Sequence, residues 1–130
     1  MKNTREKHAP LWRRRDKSTP PFVLYYISGE VYNVRENEYQ ADLIKRIKAR
    51  FPECMVLKND ANYIQGIPDL TILCANGRWA VLETKRSEKE PHRPNQDYYV
   101  NKMNGMSFSR FIYPENEEEV LDEIQQALGL

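Results

Sequence analysis

The chain has 130 residues, 40% of them apolar and 30% charged, with a formal net charge of +1. That length suits one domain able to bury a core, and the composition excludes a wholly disordered chain. No apolar run nears the ~20 residues of a membrane-spanning helix, no secretory signal opens the chain, and the near-neutral total argues against a nucleic-acid partner.

Charge is unevenly distributed. Residues 1–20 carry seven Lys/Arg against two Asp/Glu, whereas residues 21–130 carry thirteen against seventeen. The chain therefore divides into a basic, flexible arm (1–20) and a mildly acidic single domain (21–130). Arg13, Arg14 and Arg15 stand beside Leu11-Trp12. Such a segment either tracks phosphates with an aromatic ready to stack, or is a solvated tail.

Phe22 to Ile27 is β-branched and aromatic and predicts a strand. Ser28-Gly29-Glu30 turns it into a second, Val31 to Val34, making an N-terminal hairpin. A helix follows from about Val34 to Arg50, with Leu43, Ile44, Ile47 and Phe51 on one face and Asn33 with Glu36 as a capping box. Cys54–Leu57, Asp69–Cys74 and Trp79–Lys85 read as strands, the last two joined by an Asn76-Gly77 hairpin. After a polar loop, a helix over Asn95–Asn104 presents Tyr99, Val100 and Met103, with Gly105 as its C-cap. Phe108–Tyr113 is the last strand. The last helix opens at Asn116, with Glu119 completing a second capping box, and buries Val120, Leu121, Ile124 and Leu128. Cys54 and Cys74 stand far apart in no ligand spacing, which excludes a disulfide scaffold and a cysteine zinc site. The order predicts a mixed α/β domain, a central sheet flanked by helices.

One constellation carries chemistry. Asp69 lies at the mouth of one hairpin strand, and Glu83 and Lys85 share a face of its partner with Val81 and Trp79. Two carboxylates and an ammonium at one sheet edge can hold Mg²⁺ and a water. The simpler alternative is a cross-strand salt bridge.

Pro68-Asp69, thirteen further residues, then Glu83-Thr84-Lys85 reproduces the PD-(D/E)xK signature. The sequence resembles that nuclease superfamily, and within it the VRR-NUC (virus-type replication-repair nuclease) family, over about residues 34–113. Gly66-Ile67-Pro68-Asp69-Leu70 matches that family's glycine-x-proline-aspartate-leucine block, and Gln96 opens the next helix, where such nucleases commonly carry a glutamine. The family also places an acid on the first helix. At about 100° per residue, with Glu38 at zero, the apolar stripe centres near 190°, Glu36 falls near 160° and Gln40 near 200°. The wheel therefore selects Glu36 over Glu38, although Glu36 is equally placed to close its capping box.

The resemblance implies a restriction-endonuclease-like core, αβββαβ, with the hairpin as an N-terminal extension. It implies a metal-dependent DNA endonuclease using Mg²⁺, with Mn²⁺ substituting. Asp69, Glu83 and the Thr84 main-chain carbonyl would hold the ion, Glu36 would support a second one, and Lys85 would align the attacking water. Gln96 is either hydrogen-bonded within this site or tied to backbone. Lys58 is either a phosphate contact or a surface lysine, and His92 is expected to be a solvated loop residue. The implied substrate is branched DNA, such as a Holliday junction, or duplex DNA, cut by shape rather than sequence, by a homodimer. The Phe22–Val34 hairpin is a candidate dimer element unless it extends its own sheet. A flap, nicking or restriction-type nuclease, and a non-catalytic nucleic-acid-binding module, remain alternatives. The expected location is the cytoplasm of a bacterium or a phage-infected cell.

Overall fold

The computed structural model describes residues 24–27 and 30–33, for their main chain, and 36–130 in full. The elements are β1 (Leu24–Ile27), β2 (Glu30–Asn33), α1 (Glu36–Arg50), β3 (Met55–Lys58), β4 (Leu70–Leu73), β5 (Trp79–Thr84), α2 (Gln96–Met106), β6 (Phe108–Ile112) and α3 (Glu117–Leu128). This is an α/β architecture in the predicted element order. The basic arm, with Arg13, Arg14 and Arg15, lies outside the described residues.

β1 and β2 pair antiparallel, Leu24 against Asn33 and Ile27 against Glu30, as a two-stranded sheet of their own. The main sheet runs β3-β4-β5-β6. Its first three strands are antiparallel and β5–β6 is parallel. A parallel pair needs a crossover, and α2 supplies it. Asn76 and Gly77 both adopt positive φ, 63° and 71°. They lie in a three-residue loop closed by the Cys74 N–H on the Arg78 carbonyl at 2.8 Å.

The registers fix which side chains share a face. Leu70, Ile72, Ala80, Leu82, Phe108 and Ile112 lie on one side, buried with Tyr39, Leu43, Ile47 and Phe51 of α1 and its end, and with Val120, Leu121, Ile124 and Leu128 of α3. Tyr39, Leu43, Ile47 and Phe51 recur every four residues, so one stripe of α1 faces the sheet. Val81 and Ser109 lie on the opposite side, which α2 covers at β5 and β6 through the buried Val100. β5 is thus buried on both faces, which is why it is almost continuously apolar until Glu83.

Acids of α3 pair with bases of neighbouring elements. Glu117 accepts two hydrogen bonds from the Arg46 guanidinium, each 2.7 Å, and one from the Tyr39 hydroxyl at 2.8 Å. Arg50 pairs with Asp122, and Arg110 with Glu123 at 3.0 Å. No described helix is long and apolar enough to cross a membrane.

Three expectations need correction. Cys54 and Cys74 are joined as a disulfide. Met55 pairs with Leu73, so the residues just outside that pair face each other, with Cα atoms 4.5 Å apart. Spacing along the chain could not show this contact across strands. Gly105 is not a C-cap but lies within α2, which ends at Ser107, whose N–H bonds the Met103 carbonyl at 3.0 Å. Asn116 makes no side-chain cap at α3. Its amide instead accepts from the Tyr113 N–H at 2.9 Å and donates to the Phe111 carbonyl at 3.0 Å, tying β6 to the helix start.

Candidate active site

The β4–β5 hairpin builds the site at the end opposite its turn. Asp69 immediately precedes β4, Glu83 and Thr84 end β5, and Lys85 continues the pairing with β6 through its N–H on the Ile112 carbonyl at 2.8 Å. Strand alternation turns Glu83 and Lys85 to the α2 side and Thr84 to the core side. All three are buried: Glu83 and Lys85 are 2% exposed and Thr84 0%.

A buried Glu and Lys each need partners. Gln96, the first residue of α2, supplies them. Its Oε1 accepts from Lys85 Nζ at 2.6 Å and from the Arg93 N–H at 2.8 Å, while its Nε2 donates to Glu83 Oε1 at 2.6 Å. An ammonium and a main-chain N–H can only donate, so Lys85 and Arg93 fix the amide with its oxygen toward them. Lys85 Nζ also reaches the Pro91 carbonyl at 3.3 Å. Gln96 therefore belongs to the site and spans its two charged groups.

Asp69 is held from the other side. Its Oδ2 accepts from the Thr84 N–H at 2.9 Å and the Thr84 hydroxyl at 2.6 Å. Amide N–H and C=O groups of one strand residue share an edge, so the Thr84 carbonyl faces the same β4 side. Behind Asp69, Asn59 ties the preceding loop down: its amide donates to the Pro68 carbonyl at 2.8 Å, and its N–H to the Asp69 carbonyl at 2.8 Å.

Carboxylates dominate the electrostatics. Glu83 is pushed up to about 8, first by burial and then by the Asp69 charge, with Lys85 opposing. No N–H or O–H group donates to its buried Oε2, and its hydrogen bond with Asp69, which needs a proton on one of the two acids, raises it further. Glu36 is raised to about 7, first by burial and then by its hydrogen bond with Glu90, with Asp69 adding repulsion. Burial acts to raise Glu90 too, but the Arg86 N–H, Glu36 and the Arg86 and Lys85 charges outweigh it and hold Glu90 below the usual carboxylate range. Glu36 and Glu90 are thus pushed in opposite directions, Glu36 toward the protonated form and Glu90 toward the carboxylate. Glu90 is fixed by the Arg86 N–H at 2.5 Å and the Arg86 guanidinium at 3.2 Å.

Glu36, Asp69, Glu83, Lys85 and Gln96 therefore come together, while Glu38 is exposed on α1. The Asn33 side chain, the other half of the expected capping box, lies outside what is described. Lys58 is exposed and shares the face of its partner Leu70, joining none of the described hydrogen bonds of the cluster. His92 is a loop residue, stacked on Phe111 with ring centroids 3.9 Å apart and paired through Nδ1 with Asp97 at 2.7 Å.

The sequence reading missed Glu90, Gln40, Asn59 and the Thr84 side chain. Gln40 did carry a signal, because the helical wheel puts it on the same stripe as Glu36, one turn on. Glu90 carried none, since its contact with Glu36 spans half the chain.

Among the described residues, no three His, Cys, Asp or Glu side chains are arranged to hold a metal ion as they stand. All three acids are engaged in hydrogen bonds, Asp69 with Thr84, Glu83 with Gln96 and Asp69, and Glu36 with Glu90. A scan of protein-family models, a search of curated proteins and a search of solved structures each find no match to this chain.

Proposed function

We propose that the chain is a metal-dependent DNA endonuclease of the PD-(D/E)xK superfamily, built on a restriction-endonuclease-like core and akin to the VRR-NUC family. One observation carries the reading: three acids, Glu36, Asp69 and Glu83, crowd one ammonium, so that burial and mutual repulsion raise Glu83 to about 8 and Glu36 to about 7. A salt bridge with Lys85 would neutralise only one of these acids. A divalent cation would offset the remaining charge once they ionise, and an all-oxygen donor set suits Mg²⁺.

Asp69, Glu83 and the Thr84 carbonyl would hold the ion, with Glu36 supporting a second. The ion supplies charge neutralisation at a phosphodiester and a more acidic water. Lys85, positioned by Gln96 and the Pro91 carbonyl, orients that water with its ammonium protons. Glu36, on losing its proton to solvent, would present a carboxylate to the site. The implied products are a 5′-phosphate and a 3′-hydroxyl. Arg13, Arg14, Arg15 and Lys58 would neutralise backbone phosphates, so binding weakens steeply with salt. The substrate is branched or duplex DNA, cut by a homodimer.

Labelled four-way junction, flap, duplex and single-stranded DNA, incubated with Mg²⁺ or Mn²⁺, test the reading. Wild type cuts at least one, preferring the branched forms. Asp69→Ala and Lys85→Ala lose about 100- to 10,000-fold in rate. Failure of wild type to cut any of them with either ion refutes the assignment and leaves a nucleic-acid-binding module.

A further inference from the structure

The geometry points to Gln40 and Thr84 as a positioning relay that aims Asp69, so that one of its carboxylate oxygens is held in reserve for a cation. This inference rests on the nuclease reading and extends it to two side chains outside the D…ExK motif.

The argument is one of proton counting. Thr84 has a single hydroxyl proton, and it goes to Asp69 Oδ2 at 2.6 Å. The hydroxyl oxygen is then free to accept, and Gln40 Nε2 donates to it at 3.0 Å. Gln40 thus keeps the Thr84 proton pointed at Asp69 rather than back toward α1. The Thr84 N–H reaches the same oxygen at 2.9 Å. Two donors on Oδ2 fix the carboxylate plane and leave Oδ1 uncommitted by Thr84. Thr84 lies on the core face and is fully buried, whereas Glu83 and Lys85 lie on the α2 face. The relay therefore braces Asp69 from behind the sheet while Gln96 braces Glu83 from in front. Groups that orient a metal-binding carboxylate in this way typically govern affinity by about 10- to 100-fold.

The test is Mn²⁺ binding to the DNA-free protein by calorimetry, with circular dichroism confirming the fold of each variant. Thr84→Val keeps the volume and removes the donor, and should weaken Mn²⁺ about 10- to 100-fold. Thr84→Ser should recover most of the affinity. Gln40→Glu replaces the donor with an acceptor that competes for the hydroxyl proton, and should also weaken binding. Adding Gln40→Glu to Thr84→Val should cost little more than Thr84→Val alone, since the two act through one proton. Wild-type affinity in both Thr84→Val and Gln40→Glu overturns the relay while leaving the nuclease reading intact. So does a Thr84→Ser variant as weak as Thr84→Val. A wild-type protein that binds no Mn²⁺ overturns both.

Discussion

Gly66 and Asn95 meet so closely that no side chain fits between them. A Cβ on Gly66 would stand 2.6 Å from the Asn95 Cβ and 2.7 Å from its carbonyl carbon. Gly66 also has φ of +89°, which disfavours any L side chain. Asn95 itself adopts φ of 70° and leads directly into Gln96. The glycine of the Gly-x-Pro-Asp block is thus the surface on which the start of α2 rests, and through Gln96 it sets Glu83 and Lys85. Gly66→Ala should destabilise the fold by about 1–3 kcal/mol, as overpacking does, and should reduce cleavage further than the stability loss explains. Denaturant melts and cleavage assays on one preparation separate the two effects. Wild-type behaviour in both would remove the packing role.

Glu83 makes stability depend on pH. Folded Glu83 keeps its proton up to about 8, against 4.5 when unperturbed. Between those values the folded state binds more protons than the unfolded chain, so stability falls as pH rises. It is fully present below about 4.5 and lost by about 8. Glu36 adds the same trend up to about 7. Without divalent ions, the melting temperature should therefore drop between pH 5 and 8. Glu83→Gln should flatten that slope and stabilise the protein at pH 8 while abolishing cleavage, because the amide can still accept from Gln96 and, like the protonated acid, donate toward Asp69, without titrating. Calorimetric melts across this range check the sign, and a slope unchanged in Glu83→Gln contradicts it.

Glu36 and Glu38 offer a paired comparison on one helix turn. Glu36 faces the cluster and Glu38 faces solvent. Glu36→Ala should lower cleavage about 100-fold or more, whereas Glu38→Ala should match wild type. The reverse outcome would put the first-helix acid at position 38. Glu90→Gln is the companion variant: it removes the partner charge that holds the proton on Glu36.

The Cys54–Cys74 bond closes a loop of about 20 residues, and the chain-entropy relation assigns such a crosslink about 3 kcal/mol. Urea unfolding with and without reductant should differ by about that amount. Cys54→Ser with Cys74→Ser should match the reduced wild type under both conditions. Equal midpoints for oxidised and reduced wild type would show that the bond contributes nothing.

Much of the fold was legible locally. The stripe of Leu43, Ile47 and Phe51, the Asn76-Gly77 hairpin and the apolar face of α3 are short-range patterns, and short-range sterics and burial fix them. Where local reading failed, competing hydrogen-bond partners decided the outcome. Asn116 gives up its capping role because the Tyr113 N–H and the Phe111 carbonyl claim its amide. Gly105 continues α2 because the helix ends instead where Ser107 reaches the Trp79 carbonyl.

The candidate site divides along the same line. That Asp69, Glu83 and Lys85 meet was legible along the chain, because hairpin register and strand alternation follow from a few neighbouring residues. Helical periodicity also turned Glu36 inward. What each acid touches came from packing: Glu90 hydrogen-bonds Glu36, Gln40 and Thr84 brace Asp69, and Gln96 spans Glu83 and Lys85. Hydrogen bonds are directional and short-ranged, so partners on different elements leave no periodic trace along the chain. They arise only once the sheet, α1 and α2 have packed.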